Sequence, residues 1–276
     1  MRLIADSGST KTDWCICSQD TIIQSINTEG INPFHQSPDI IKDIVGNMVS
    51  QLDGPYCIRN VEFYGAGCAL PEKKEIVADI LREALSCNDI RVSSDLEGAA
   101  RAVCQGESGI ACILGTGSNS CQFDGQKVVA NTPCLGYILG DEGSGAVLGR
   151  TLVSDCLKGQ LPPHLSQKFL AEYQLNQSSL LEQVYRQPLA NRFLASFTPF
   201  LSQYRDEPAI HDLLVNQFCR FFQRNVLSYD ITLPVHFVGS IAYYFNREVT
   251  EAARSFGLVV GRTLRTPMEG LTKRII

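Results

Sequence analysis

The sequence predicts a mixed α/β protein built from two similar halves, each with three strands followed by alternating helices and strands. A Gly/Ser-rich turn follows the apolar run Leu3–Ala5, and a second such turn follows the apolar run Ile110–Leu114. The order of strand and helix patterns after the first turn recurs after the second one. We therefore expect a duplicated βββαβαβα architecture, with a helical insertion in the second copy.

The first half begins with short apolar runs that predict a three-stranded meander over Leu3–Ala5, Trp14–Cys17 and Thr21–Ile26. After Pro38, apolar residues recur at helical spacing until Gly54-Pro55, which predicts an amphipathic helix. The remaining predicted elements are a strand over Val61–Tyr64, a helix over Pro71–Leu85, a strand over Ile90–Val92 and a helix over Leu96–Cys104.

The second half repeats this order around a long helical segment. A strand over Ile110–Leu114 is followed by a hairpin at Asp124-Gly125, whose composition suits a tight turn. We expect domains over residues 1–108 and 109–266, with the insertion at about 141–228 and a last helix, 267–276, packing back on the first domain. The other predictions are a core stripe of Phe218, Phe221, Phe222, Val226 and Leu227, strands over Val235–Val238 and Leu258–Leu264, and a helix over Arg247–Phe256.

Composition favours a globular protein with a small-molecule partner. The net charge of -5 and the lack of a long basic run argue against nucleic acid or an anionic membrane as partner. No apolar stretch approaches the roughly 20 residues that span a bilayer, and the first residues read as a strand, so we expect a cytoplasmic protein. The chain has 11 cysteines but no C-x-x-C pair, and we interpret Cys15 and Cys17 as small buried apolar residues.

The two turns have the composition of phosphate-binding loops. Asp6 ends a strand and can hold Mg²⁺ through water, while Gly8 allows close approach of the backbone to a phosphate. A polar hairpin turn is the alternative for this loop, and Asp13 is expected to face solvent or cap the turn. Ser9, Thr10, Lys11 and Thr12 would contact phosphates or order the first loop, and Gly115, Thr116, Gly117 and Ser118 would hold phosphate through amides and hydroxyls. Two such loops in one chain indicate a binding site for ATP.

The sequence resembles the BadF/BadG/BcrA/BcrD ATPases, a group of the actin-like sugar kinase and Hsp70 ATPase superfamily that includes N-acetylglucosamine kinases. This resemblance implies two actin-like (ribonuclease H-like) domains around a nucleotide cleft that holds MgATP, with a sugar at its base. The segments that carry it, in family order, are Asp6–Thr12, Asn32, Gly65-Ala66-Gly67, Ser94-Asp95, Gly115–Asn119, Gly136 with Gly140–Ser144, and Val238-Gly239-Ser240.

The resemblance implies that Asp95 is the catalytic base beside the attacking sugar hydroxyl, although Asp95 or Ser94 could equally be an ordinary helix N-cap. Asp141 would accept hydrogen bonds from sugar hydroxyls, and a helix start is the alternative. The resemblance also places Asn32, Gly65, Gly67 and Ser94 at the substrate, and Gly239 and Ser240 against adenosine. Ordinary turns and strand ends are the alternatives for these positions.

The resemblance implies an ATP-dependent phosphotransferase that acts on a hexose or amino sugar, with N-acetylglucosamine 6-phosphate as the favoured product. One departure leaves the sugar open, because Leu135 stands where these kinases carry Trp, and Tyr137 could compensate. Two alternatives stay open, namely an ATPase that activates a reductive dehydratase through an iron–sulfur cluster and a sugar or nucleotide sensor without activity. For the oligomeric state, a homodimer is considered alongside a monomer.

Overall fold

The computed structural model describes residues 1–8, 11–19 and 21–273. The chain divides into two compact units. Residues 1–107 form the first unit together with residues 124–128 and the chain from Thr266 onward, and residues 108–123 and 129–265 form the second. The domain limits expected from the sequence, at 108/109 and 266/267, stay a prediction.

The first unit contains a five-stranded sheet in the order β3-β2-β1-β4-β5. The first three strands form the predicted antiparallel meander, and β1, β4 and β5 run parallel to one another. The strands are β1 (Arg2–Ser7), β2 (Lys11–Ser18), β3 (Thr21–Glu29), β4 (Asn60–Gly65) and β5 (Ile90–Ser94), and the helices are α1 (Pro38–Ser50), α2 (Pro71–Leu85) and α3 (Asp95–Cys104).

Alternation along β1 separates the two faces of this sheet. Leu3 and Ala5 belong to a buried cluster with residues of α1 and α2, whereas Arg2 and Asp6 point to the opposite face. Helix α3 covers that face, since Gly98 is packed against the side chain of Tyr64, which neighbours Asp6 in register. Asp6 therefore lies on the α3 face, at the end of its strand.

The second unit repeats this topology. Its sheet has the order β10-β9-β6-β7-β8, and β6, β9 and β10 are parallel. The order matches that of the first sheet when β6 is aligned with β1, so the predicted duplicated fold is confirmed. The strands are β6 (Ser108–Leu114), β7 (Ser118–Asp124), β8 (Val128–Thr132), β9 (Val235–Val238) and β10 (Val260–Leu264).

Helices fill most of the chain between β8 and β9. Phe218, Phe221 and Phe222 are fully buried on one side of the longest of these helices, as predicted from their helical spacing. Leu227 was expected in the same stripe, but it follows the end of that helix and is 38% exposed. The helices are α4 (Gly136–Leu139), α5 (Gly145–Leu157), α6 (Pro163–Glu172), α7 (Gln177–Tyr185), α8 (Ala190–Ala195), α9 (Thr198–Gln203) and α10 (Pro208–Asn225).

Short helices complete both units. In the second unit, α11 (Ser240–Tyr244) follows β9 directly, and α12 (Asn246–Arg254) precedes β10. In the first unit, α13 (Met268–Leu271) packs against α3, where a Cβ on Gly270 would lie 2.2 Å from the carbonyl oxygen of Ala102. In the part of the chain that the structure describes, no helix combines the length and apolar character needed to cross a membrane.

Candidate active site

The parallel strands of the first unit end at one edge of its sheet. Ser7 of β1, Gly65 of β4 and Ser94 of β5 are neighbours in register there. Asp6 precedes the first of these residues, and Asp95 follows the last. Because the carboxyl ends of parallel strands meet at this edge, three predicted site segments that are far apart in sequence lie side by side.

A group of carboxylates surrounds Asp6. Asp6 and Asp13 are directly opposite each other on β1 and β2, so their side chains share one face of the sheet. Burial, and after it the negative charges of Asp13 and Asp95, raise the pKa of Asp6 to about 7, against the opposing charge of Lys11. Asp13 was expected to face solvent or cap the turn; its side chain is 20% exposed, lies opposite Asp6 and is bonded by Asn27 and Lys11.

Buried hydroxyls fix the ends of the first loop. The hydroxyls of Ser7 and Thr12 lie 2.7 Å apart, and the Thr12 hydroxyl donates to the carbonyl of Glu29 at 3.1 Å. Both side chains are fully buried. Thr12 thus orders the loop, which is one of the two roles considered for it. The backbone N–H of Gly8 donates to the carbonyl of Lys11 at 3.0 Å, while Ser9 and Thr10 lie outside the described residues.

Lys11, the predicted phosphate ligand, is held at the mouth of this loop. Its ammonium nitrogen lies 2.9 Å from Oδ2 of Asp13, and its side chain is 66% exposed. An exposed ion pair of this kind contributes little to stability, so a ligand with more negative charge can compete for the lysine.

At the start of α3, the adjacent residues Ser94 and Asp95 make different contacts. Ser94 is the N-cap, because its hydroxyl accepts a hydrogen bond from the N–H of Glu97 at 3.2 Å. Asp95 is the first residue of the helix, and its Oδ1 accepts from the N–H of Leu96 at 2.9 Å. Burial raises the pKa of Asp95, and the Leu96 amide opposes this effect. Since Ser94 is the N-cap of the helix, the N-cap alternative does not account for Asp95.

The predicted substrate residues Asn32 and Gly67 are in contact. Gly67 has φ +78°, and a Cβ there would lie 2.3 Å from Oδ1 of Asn32. That same oxygen accepts the N–H of Phe34 at 3.0 Å, so Asn32 is also the turn residue that its sequence context suggested. Gly65 is equally constrained, because a Cβ there would lie 2.5 Å from the ring of Phe63.

Phe34 extends this group with an exposed aromatic ring that sequence reasoning did not select. Its side chain is 51% exposed, although most phenylalanines of this chain are buried. The ammonium group of Lys73 lies 5.3 Å from its ring centroid and donates to the carbonyl of Pro33 at 2.9 Å. Lys73 comes from α2, about 40 residues along the chain, so no local pattern indicates this arrangement.

In the second unit, the predicted phosphate loop contacts the predicted sugar ligand. The N–H of Gly115 donates to the carbonyl of Gly117 at 3.0 Å, and the carbonyl of Gly115 accepts the N–H of Gly145, which begins α5, at 2.8 Å. A Cβ on Gly117 would lie 2.9 Å from Oδ2 of Asp141. The absence of a side chain at Gly117 therefore makes room for the Asp141 carboxylate.

Asp141 has an unusual backbone conformation, with φ +55°. Ser144, rather than Asp141, caps α5, so the helix-start alternative does not account for Asp141. Burial raises the pKa of Asp141, while hydrogen bonds from the Cys134 thiol and the Ser118 amide oppose it. The Cys134 Sγ lies 3.4 Å from Oδ1 of Asp141, a contact that sequence reasoning missed.

Leu135, the position at which the resemblance led us to expect Trp, lies beside this carboxylate. It is 54% exposed and lines, with Asp141 and Cys134, a cavity of about 310 Å³. Tyr137 packs against the core of the second unit. The wall of this cavity is therefore aliphatic at Leu135.

Gly239 and Ser240 lie at the carboxyl edge of the second sheet. Gly239 has φ +122°, and a Cβ there would lie 2.2 Å from the carbonyl oxygen of Leu114, which ends β6. Ser240 begins α11 and lines a cavity of about 540 Å³ together with Tyr244 and Pro199. Sequence reasoning missed Tyr244 and Pro199, because only the fold brings α9 next to α11.

Comparison with known structures identifies the class of protein. A proposed N-acetylglucosamine kinase from Chromobacterium violaceum has a TM-score of 0.75 at 18% identity, over 98% of this chain and 97% of that one. A ROK family glucokinase from Streptomyces griseus, solved with glucose and AMPPNP, has a TM-score of 0.59 at 12% identity, over 99% of this chain and 97% of that one. The fold is thus the actin-like fold of two-domain sugar kinases.

A more similar structure shows the family. It is that of a proposed N-acetylglucosamine kinase from Porphyromonas gingivalis, which is 48% identical, with a TM-score of 0.90 over 99% of this chain and 97% of that one. The chain belongs to the same family as this protein. No family model and no curated protein sequence matched the chain, so membership in the BadF/BadG/BcrA/BcrD group stays a prediction.

Proposed function

We propose that this protein is an ATP-dependent sugar kinase that phosphorylates the 6-hydroxyl of N-acetylglucosamine. The observation that carries the proposal is the 48% identity, over nearly the whole chain, to a protein described as a proposed N-acetylglucosamine kinase. The grouping of Asp6 and Asp95 at one edge of the first sheet supports it, because phosphoryl transfer to an alcohol needs a metal-binding acid and a base.

In this proposal, each unit carries its own candidate nucleotide ligands. In the first unit, Lys11 would exchange Asp13 for phosphate oxygens, and Gly8 would let the backbone approach them. In the second, the amides of Gly115 and Ser118 already bond within the protein, so phosphate contact falls to Thr116 and Gly117. The cavity beside Gly239 and Ser240 would hold adenosine, with the ring of Tyr244 as one wall.

The residues around Asp6 fit Mg²⁺. Carboxylate oxygens are hard ligands of the kind this ion prefers, and a cation would relieve the repulsion that raises the pKa of Asp6. Within the described residues, no group of three or more acidic, His or Cys side chains could hold a metal alone. That suits an ion held by Asp6 through water and completed by phosphate oxygens, and the bound ion would neutralise charge on the transferred phosphoryl group.

Asp95 would accept the proton of the attacking hydroxyl. Burial raises its pKa, and a carboxylate with a raised pKa is a stronger proton acceptor at neutral pH. Its attachment to the first turn of α3 fixes its direction, because Oδ1 is bonded to the Leu96 amide. Asn32, Gly65 and Gly67 would position the sugar beside it, and Asp141 would accept hydrogen bonds from sugar hydroxyls.

A coupled assay of ADP release with a panel of sugars tests the proposal. We expect N-acetylglucosamine to stimulate turnover more than glucose, N-acetylmannosamine or glucosamine. Asp95→Asn should reduce kcat by at least about 100-fold while ATP binding, measured by calorimetry, stays unchanged. Asp43→Asn, which replaces an exposed acid on α1, serves as the matched control. Failure of every sugar to stimulate ADP release would reject the kinase, and stimulation by another sugar alone would reject the assigned substrate.

A further inference from the structure

A further cavity, of about 530 Å³, lies within the first unit. It opens on the face of the sheet that α3 and α13 cover, and Arg2, Arg91 and Arg101 line it from β1, β5 and α3. Arg2 precedes Asp6 by four residues on β1, which corresponds to about 13 Å along a strand. The cavity is therefore separate from the residues proposed for catalysis but is built on the same strands.

Positive charge exceeds negative charge around this cavity. Besides the three arginines, Lys273 lines it, and no described residue forms an ion pair with this lysine. The carboxylates that line the cavity or bond to its arginines are Glu62, Asp89 and Glu97. Among the described residues, the cationic side chains thus outnumber the carboxylates by one, which favours an anionic ligand.

Two of the arginines share a single carboxylate oxygen. Oε1 of Glu97 lies 2.7 Å from Nη2 of Arg91 and 2.9 Å from Nη2 of Arg101. Arg101 also donates to the carbonyl of Gln126 at 2.8 Å, which fixes its guanidinium. The Arg91 side chain is 49% exposed, so its donors remain accessible from the cavity. One carboxylate thus orients two guanidinium groups and compensates only one of their two charges.

Arg2 is oriented by backbone groups rather than by a strong ion pair. Its Nη2 donates to the carbonyl of Thr272 at 3.0 Å and to that of Leu271 at 3.3 Å, at the end of α13. Its nearest carboxylate oxygen, on Glu62, is 3.5 Å away, and Glu62 also accepts the hydroxyl of Tyr64 at 3.0 Å. Backbone carbonyls thus orient this arginine, and its ion pair with Glu62 is longer than these contacts.

We propose that this cavity binds a small phosphate-bearing anion, either inorganic phosphate or the phosphate monoester of a sugar. Arginine guanidinium groups present paired donors that match phosphate oxygens, and several oriented arginines around one cavity are the usual form of such a site. The volume of about 530 Å³ is sufficient for a hexose phosphate as well as for the free ion. The proposal does not depend on kinase activity, since it concerns binding alone.

Isothermal titration calorimetry with the full chain tests this proposal, using inorganic phosphate and glucose 6-phosphate as separate probes at constant ionic strength. A saturating concentration of AMPPNP would be present to occupy the nucleotide site. We expect saturable one-to-one binding of at least one probe, and the tighter of the two identifies the source of the phosphate. Arg91→Gln should weaken binding at least tenfold, and Lys273→Gln should weaken it by a smaller factor.

Lys42→Gln is the matched control, because it also removes one positive charge from an exposed ion pair of the first unit, on α1. This variant and Asp95→Asn should bind the probes as the unmodified protein does. Lack of saturable binding would overturn the proposal, as would equal affinities of the Arg91→Gln and Lys42→Gln variants. A probe that binds only in the absence of AMPPNP would belong to the nucleotide site and would also overturn it.

Discussion

Asp6 should lower the stability of the first unit at neutral pH, and Asp6→Asn should restore it. The folded protein raises the pKa of Asp6 from its ordinary value of 3.8 to about 7, chiefly by burial and then through Asp13 and Asp95. At about 1.4 kcal/mol for each tenfold change in proton affinity, this difference corresponds to a cost of about 4 kcal/mol for the ionised form. Asparagine has the same shape and no charge, so the substitution removes this cost.

The sign of the pH dependence follows from the raised pKa. An acid whose pKa is higher in the folded state binds its proton more tightly there, so the folded state is penalised only when the group is ionised. The penalty is absent below pH 3.8, grows between pH 3.8 and about 7, and is complete above that. The Asp6→Asn variant should therefore exceed the unmodified protein in stability by up to about 4 kcal/mol at pH 8, and the difference should vanish near pH 4.

Urea unfolding followed by tryptophan fluorescence measures this effect. Trp14 is the only tryptophan of the chain and is buried in β2, so its emission reports unfolding of the first unit. Asp43→Asn is the control, since it replaces an exposed acid on α1 and should change stability little at any pH. The free-energy cost assigned to the ionised Asp6 carboxylate is wrong if Asp6→Asn is no more stable than the unmodified protein at pH 8. It is also wrong if the gain in stability persists at pH 4.

Three further substitutions test other parts of the structure. Gly67→Ala would place a Cβ 2.3 Å from Oδ1 of Asn32, so it should lower the free energy of urea unfolding by about 1–3 kcal/mol and raise KM for the sugar. An unchanged KM would show that Gly67 does not contact the substrate. Phe34→Ala should leave stability within about 0.5 kcal/mol but raise KM for the sugar and not for ATP, and an unaltered sugar KM would show that the exposed ring does not contact it. Glu248 is fully buried and bonded to Arg205, so Glu248→Gln should lower the free energy of unfolding by about 3–5 kcal/mol, measured by thermal unfolding of the second unit. Glu251→Gln, at an exposed position, should have little effect, and equal effects of the two variants would contradict the buried ion pair.

Local sequence patterns predicted most of the secondary structure, because each element is encoded by its own residues. Helix α2 begins at Pro71 and ends at Leu85 as its apolar spacing indicated, and β9 spans Val235–Val238 as predicted. Leu227 is the exception in the predicted core stripe, since it is 38% exposed, whereas Val226, which also follows the end of α10 at Asn225, is fully buried as expected. Beyond the end of a helix, tertiary packing rather than the helical period decides which side chains are buried.

The candidate site was predictable in part for the same reason. Loops rich in glycine and hydroxyl residues after apolar runs indicated Asp6 and Gly115, and the resemblance to known kinases added Asp95 and Asp141. The pairing of Asp13 with Asp6 was not predicted, because it depends on the register between β1 and β2 rather than on neighbouring residues. A cross-strand pair cannot be inferred from residue spacing until the turn that joins the strands is known.

The sequence by itself determined the order of the elements, the duplicated topology and the loops expected to hold phosphate, since these depend on local composition and on hydrophobic spacing. Only the tertiary structure decided that the charges of Asp13 and Asp95 act on Asp6 and that the Lys73 ammonium group lies over the ring of Phe34. It alone also decided that Arg2, Arg91 and Arg101 surround one cavity. These groupings join residues that are distant in the chain, and charge and burial act through space, so their pKa values and ligand preferences arise only after the strands have paired and the helices have packed.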